Sequence, residues 1–332
     1  MSQMNVSAPK GVGRRAALSA LAAAPVAAAL TLGAPAPARA AAPKAGPTRG
    51  LVRRFELGAF EVATLSDGMR AGEGPHPIFG QNVSAEEVAA LLEANFLPAG
   101  RFVNGFTPTL VNTGAELILF DTGLGEGARP AMGGLRARLA EAGVTPEQID
   151  VVVLTHMHPD HIGGLTESGA PAFPNARYVI GAAEYDFWTA PGRDSGPTER
   201  VARLVQEKVV PLAERARFVK PGDAVAPGIE AVAAFGHTPG HMAWHLESEG
   251  RRLMLCADAC NHYVVSLQRP DWHVRYDMDK EAAAATRKSL FGMIAADRIP
   301  FVGYHMPFPA VGFVEPLGEG FRFVPATYQF DV

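Results

Sequence analysis

Four side chains able to bind a divalent cation fall within six positions, in the run Thr155-His156-Met157-His158-Pro159-Asp160-His161-Ile162-Gly163-Gly164. His156 and His158 are two residues apart, so in extended backbone they project to the same side and can share one ion. Pro159 bends the path and lacks an N–H, which lets Asp160 and His161 turn toward a second position. Gly163 and Gly164 let the chain leave a crowded site. Imidazole nitrogen and carboxylate oxygen are ligands suited to zinc and similar ions. Three further candidates each follow an apolar run: His237 after residues 231–235, Asp258 after residues 253–257, and His305 after residues 301–303. Together these are seven ligands, enough for two ions if one carboxylate bridges them and a solvent oxygen completes both spheres. Two ions ~3.5–4 Å apart lower the pKa of a shared water, and the resulting bridging hydroxide would attack a carbonyl carbon or a phosphorus. Asp160 could also handle a proton as the intermediate breaks down. Covalent catalysis is not suggested, because there is no Gly-x-Ser-x-Gly motif and no cysteine with an evident His–Asn partner.

The elements that must position these residues can be read around them. Val151-Val152-Val153-Leu154 is a short apolar run with three β-branched residues, which suits a strand buried on both faces. Residues 55–65 read as two β-rich pieces around Gly58, and residues 109–112 and 116–120 as a hairpin ending in Asp121-Thr122-Gly123. Further strands are expected at 178–180, 229–235, 243–246, 253–257 and 301–304. Ser84 and Glu87 form a capping box opening a helix through about Asn95. Other helices are expected at 130–142, 199–213 and 280–296. Polar clusters recur where apolar strands stop, a pattern that suits a layered α/β domain with its site at strand ends.

The chain has 332 residues with 30 basic and 34 acidic side chains. Residues 1–40 carry four bases (Lys10, Arg14, Arg15, Arg39) and no acid, so the remainder holds 26 bases against 34 acids. That acidic body argues against a broad nucleic-acid-binding face, which needs surplus Lys and Arg. Arg14-Arg15, an Ala-rich stretch and Ala38-Arg39-Ala40 read as the basic region, apolar region and small-x-small site of a cleaved twin-arginine-type export signal. The expected organisation is that signal over residues 1–40 and one domain over 41–332, periplasmic or secreted, with no stable membrane anchor. The two cysteines, Cys256 and Cys260, exclude a disulfide-built scaffold. Four-residue spacing at a strand end rarely meets disulfide geometry, so buried free thiols are expected.

Asp121-Thr122-Gly123, the H-x-H-x-D-H block, His237, Asp258 and His305 occur in the order of the metallo-β-lactamase superfamily, which the chain resembles. Phe55–Gly68, Ala172–Ala176, Asp186-Phe187-Trp188 and Phe321–Pro325 resemble its methyl parathion hydrolase group. The resemblance implies a four-layer αβ/βα sandwich with metals at one edge of two sheets. It implies one ion on His156, His158 and His237, another on Asp160, His161 and His305, and Asp258 between them. Asp121 would orient a ligand imidazole through its distal N–H, and Trp188 would wall the substrate pocket. One departure stands out: the residue before the bridging Asp is commonly Gly in relatives and is Ala257 here.

The implied activity is metal-dependent hydrolysis, with zinc as the expected metal, of a small uncharged lactone, carboxylic ester or phosphotriester. The resemblance also carries an expectation of homodimers. The competing readings are an iron-dependent persulfide dioxygenase or other oxidoreductase on the same fold, and a non-catalytic periplasmic zinc-binding protein. His241, four residues after His237, is read as a packing or orienting residue, and His76, His245, His262 and His273 as ordinary side chains. Residues 262–279, with Tyr263, Trp272 and Tyr276, could form a lid.

Overall fold

Val151–Leu154 shows in four residues how the fold is layered. Val151 and Val153 point into one hydrophobic core, and Val152 and Leu154 into another, as the two-residue period of a strand requires. The computed structural model describes residues 50–328, so the expected export signal lies outside the described residues.

The strand is central in a seven-stranded sheet whose spatial order is Val52–Leu57, Phe60–Leu65, Thr109–Asn112, Leu117–Phe120, Val151–Leu154, Arg177–Gly181 and Ala216–Val219. The last four run parallel, so their carboxyl ends share one edge. A second seven-stranded sheet runs Ala224–Ala226, Ile229–Ala233, Met242–Ser248, Arg251–Ala257, Phe301–Gly303, Val311–Leu317 and Gly320–Pro325. There Arg251–Ala257 and Phe301–Gly303 are parallel neighbours, with Ala257 opposite Gly303. That register sets the residues after each strand, Asp258 and Tyr304-His305, beside one another.

The two sheets face each other through a shared core, where Phe120 of the first meets Trp244 of the second edge to face at 5.7 Å. Helices Leu135–Glu141, Ala182–Thr189 and Glu199–Lys208 cover the outer face of the first sheet with Leu139, Trp188 and Val205. Helix Lys280–Asp297 joins the core of the second sheet through Leu290, Phe291 and Ile294. The result is the expected four-layer αβ/βα sandwich. Among the described residues, no helix is long and apolar enough to cross a membrane.

Some elements depart from the sequence pattern for local reasons. The helix expected from residue 130 starts at Leu135, because Gly133 takes a left-handed φ of 72° before it. The helix from Glu199 stops at Lys208 and continues as a 3₁₀ turn over Val210–Arg215, where Pro211 removes an N–H. Gly68–Glu73 and Arg101–Phe106 pair as a separate two-stranded ribbon. Beside it, helix Ala85–Ala94, capped by Ser84 and Glu87 as expected, packs with helix Val265–Gln268. Phe79, Val88, Leu92, Val265 and Val274 form a small third core there. The stretch weighed as a lid is therefore built into the fold, pinned by the Phe79–Val274 bridge and by Arg275 N–H on the Ile78 carbonyl.

Candidate metal centre

Five of the seven candidate ligands follow the carboxyl ends of strands, and Asp160 and His161 lie on the short helix Pro159–Ile162 that comes next after His158. His156 and His158 follow Val151–Leu154, His237 follows Ile229–Ala233, Asp258 follows Arg251–Ala257, and His305 follows Phe301–Gly303. The structure brings them into two groups, His156 with His158 and His237, and Asp160 with His161, Asp258 and His305. Within each group, one potential ligand atom per residue lies within 4.8 Å of the others. In the first group His158 Nδ1 and His237 Nε2 are 2.9 Å apart. Asp258 reaches into both. Its Oδ1 is 3.2 Å from His161 Nε2, and its Oδ2 is 3.2 Å from His237 Nε2 and 3.0 Å from His305 Nε2. Asp160 Oδ2 lies 3.5 Å from His305 Nε2 and 3.6 Å from His161 Nε2.

The opposite side of four of the rings, those of His156, His161, His237 and His305, is held by the protein. His161 Nδ1–H donates to Asp121 Oδ2 at 2.8 Å, and the same oxygen accepts the Thr155 hydroxyl. Thr155 Oγ1 in turn lies 3.1 Å from His156 Nδ1. His237 Nδ1–H donates to Asp277 Oδ1 at 2.9 Å, and Asp277 Oδ2 accepts from the buried Arg287 guanidinium at 2.7 Å. His305 Nδ1–H donates to the Gly105 carbonyl at 2.8 Å. Asp258 is steadied by Asn261 Nδ2 at 2.9 Å, and its main-chain N–H donates to His241 Nε2 at 3.0 Å. His241 thus supports the Asp258 backbone and, through Nδ1–H on the Ala234 carbonyl, stands outside both groups.

Glu184, Asp277 and Arg287 were not singled out by sequence. Glu184 is completely buried and accepts four donors: the Met157 and Gly240 N–H groups, the Trp188 indole and the Thr238 hydroxyl. An acid on a helix normally reads as a solvated face, and only the burial of the segment distinguishes this one. Trp188, expected at the pocket wall, is placed elsewhere. It is 2% exposed in the helix-side core, its indole N–H on Glu184 and its ring centroid 6.3 Å from that of His158. Cys256 and Cys260 are both free and buried.

The electrostatics divide the imidazoles. Burial, reinforced by neighbouring imidazoles, lowers His156 and His158 well below the ordinary range, leaving neutral rings with lone pairs to offer. Burial also opposes charge on His161, but Asp121, Asp258 and Asp160 outweigh it and hold the ring well above the usual value. His237 is raised to about 9, burial being overcome by Asp258 and Asp277. Asp258 resists burial the same way: His305 and His161 keep it well below the carboxylate range. Positive charge is favoured where a divalent cation would supply it. His156 Nε2, His161 Nε2 and Asp258 Oδ1 are sealed from solvent without a hydrogen-bond partner among the described residues. Buried polar atoms are rarely left so; all three aim into the two groups, and a cation in each would satisfy them. The donor set therefore fits a pair of divalent ions.

A cavity of about 620 Å³ opens beside His305. Its walls are mainly apolar, with Met69, Leu92, Leu97, Phe102 and Phe308, interspersed with polar side chains that include Arg101, Asn104, Asn261 and His262.

The family model of the metallo-beta-lactamase superfamily matches residues 107–300. The chain belongs to the metallo-β-lactamase superfamily. Within it, the chain is similar to AidC, a dizinc quorum-quenching lactonase solved in complex with a product, N-hexanoyl-L-homoserine. The two are 27% identical with a TM-score of 0.79, over 83% of this chain and 98% of that one. It is similar also to the superfamily hydrolase AbOPH, at 26% identity and a TM-score of 0.78, over 85% and 99% of the two chains. An N-acyl homoserine lactonase of Bacillus cereus is 30% identical over 118 residues, which is 35% of this chain and 40% of that enzyme. The metallo-β-lactamase fold and a metal-dependent hydrolase family are thereby shared with proteins that include lactonases.

Proposed function

We propose that the chain is a dinuclear-metal hydrolase that opens an uncharged lactone, with carboxylic esters and, as in the methyl parathion hydrolase group, phosphotriesters as further substrates. The observation that carries this reading is Asp258, one carboxylate within 3.2 Å of imidazole nitrogens from both ligand groups. His156, His158 and His237 would hold one ion and Asp160, His161 and His305 the other, with Asp258 between and zinc the metal. Two such ions, when bound, supply Lewis acidity and make hydroxide available near neutral pH.

The chain's own residues do the rest. Asn261 and His241 fix Asp258 from its side chain and its backbone. Asp121 and Asp277 fix the rings of His161 and His237. Asp160, with 19% of its side chain exposed, is the more accessible carboxylate; it takes up the proton of the hydroxide that has added to the substrate and passes it to the departing oxygen. The apolar cavity takes the acyl portion of the substrate and excludes water from it. The names of AidC and the Bacillus cereus relative favour lactone over the other esters. Residues 1–40 would serve as a cleaved twin-arginine-type export signal, leaving a single mature domain over 41–332 in the periplasm or outside the cell.

The test is a panel of acyl lactones, aryl esters and methyl phosphotriesters on zinc-, manganese- and iron-loaded protein. The highest kcat/KM is expected on a lactone, with two metal equivalents bound. Turnover of none of these, or fewer than two equivalents under every loading condition, overturns the reading.

A further inference from the structure

Tyr304 is buried, 3% exposed, and belongs to neither ligand group. Its phenol ring lies against the His161 imidazole, with centroids 3.9 Å apart and planes 31° from parallel. The Tyr304 O–H donates to the main-chain carbonyl of Asp160, on the short helix Pro159–Ile162. The Asp160 carboxylate, by contrast, comes no closer than 3.5 Å to the His161 and His305 nitrogens beside it. On its other side, the Tyr304 main-chain N–H donates to the Ala257 carbonyl at 3.3 Å, one residue before Asp258. His305 comes next in the chain, with its ring edge-on to Tyr304 at 5.1 Å. One residue thus reaches all four members of the Asp160, His161, Asp258 and His305 group. Among the described residues, its ring contacts and hydrogen bonds involve none of His156, His158 and His237.

Ligands bind a cation tightly when the groups behind them fix their orientation beforehand. We propose that Tyr304 is a positioning residue for the second ligand group alone, acting through two separable contacts. The ring holds the plane of His161, whose Nδ1–H is already committed to Asp121. The hydroxyl fixes the Asp160 main chain and makes no hydrogen bond to its carboxylate. A phenylalanine would fill the same space, so what the O–H adds is the placing of Asp160. This rests on the dinuclear reading above and assigns to one of the two ions a support that the other does not share.

The experiment titrates the metal-free full chain with cobalt(II), by calorimetry against a competing chelator, in the wild type, Tyr304→Phe and Tyr304→Leu. Two binding steps are expected in the wild type, and the step that survives in His158→Ala marks the Asp160 group. Tyr304→Phe should weaken that step by about tenfold and Tyr304→Leu by up to about 100-fold, with the other step within about twofold. The visible absorption of the weakened cobalt should change while that of its neighbour stays. A side chain that only fills space would weaken both steps alike or neither, and either result overturns the proposal. In parallel, the His161 Nδ1–H proton resonance is followed in the metal-free proteins, assigned with His161→Gln, and melting temperatures confirm folding. It should persist in Tyr304→Phe and be lost to exchange with water in Tyr304→Leu. Persistence in a folded Tyr304→Leu overturns the role of the ring whatever the titration shows. Fewer than two cobalt equivalents in the wild type would remove the dinuclear reading instead, and loss of the resonance in Tyr304→Leu would still support the positioning of His161.

Discussion

Glu184, on a helix covering the first sheet, accepts the main-chain N–H of Gly240, in a loop of the second, at 2.9 Å. Its other carboxylate oxygen accepts Met157 N–H, also at 2.9 Å. Met157 lies between His156 and His158, and Gly240 three residues after His237. One buried side chain therefore ties together the two loops that supply the three-histidine group, one from each half of the sandwich.

Removing that tie should be expensive. In Glu184→Ala four buried donors lose their acceptor, each unpaired group costing about 1–3 kcal/mol before relaxation, so a loss of roughly 3 kcal/mol or more is expected in urea unfolding. Glu184→Gln keeps the volume but sets an amide NH₂ against N–H donors. It should weaken cation binding at His156, His158 and His237 by about 10–100-fold, read by competition with a chelator. Wild-type affinity in a folded Gln variant would show that the loops hold their spacing without this carboxylate.

Asp277 and Arg287 form a buried ion pair behind His237, with side chains 0% and 1% exposed. The guanidinium also donates to the Pro270 and Trp272 carbonyls. Arg287→Met leaves the buried Asp277 carboxylate with only the His237 ring as partner, and removing one member of a buried ion pair costs about 3–5 kcal/mol. Adding Asp277→Asn removes the stranded charge, so the double variant should be more stable than Arg287→Met alone. A double-mutant cycle by chemical denaturation measures this coupling, and strictly additive losses would show that the pair does not act as a unit.

His158 lies at the accessible side of its group and is only partly buried. Its truncation removes a donor without opening a core, so His158→Ala should abolish hydrolysis while leaving the melting temperature within a few degrees of the metal-free wild type. Retained turnover in that variant would contradict the ligand assignment.

The sequence made the site legible where chemistry is concentrated. The H-x-H-x-D-H block follows a β-branched run, and such a run has few alternatives to a buried strand. The supports were hidden because each is a single ordinary residue brought in from afar: Asp277 is 40 residues from His237, and Gly105 is 200 from His305. The ribbon of Gly68–Glu73 and Arg101–Phe106 was equally hidden. Its strands are rich in Gly and charge and pair across some 30 residues, so neither propensity nor turn chemistry announces them.

Ala257 occupies a backbone position that glycine would adopt without steric cost. Its φ is +42°, in the left-handed region, at an irregularity in the pairing with Phe301–Gly303. A non-glycine residue there costs about 1–2 kcal/mol, whereas glycine would lose entropy on folding worth about 0.4–1 kcal/mol. The two nearly offset, so Ala257→Gly should change stability by no more than about 1 kcal/mol in denaturant. A loss well beyond that would mean the buried methyl is required for packing before Asp258.

The acid side of the stability profile should carry a contribution from His262. Its folded pKa is depressed to about 4 from an ordinary 6.5, because burial penalises the charged ring. Above pH 6.5 the ring is neutral in folded and unfolded chains alike, and its contribution is fully present. As pH falls from about 6.5 to about 4 the unfolded chain takes up a proton that the folded one refuses, so stability declines through that window. The decline attributable to this one group is at most about 3 kcal/mol. His262→Phe has no such proton to take up, and between pH 7 and 4.5 its unfolding free energy should fall less steeply than that of the wild type. Parallel profiles for the two proteins would mean that His262 titrates alike in both states despite its packing between Tyr263 and Phe79.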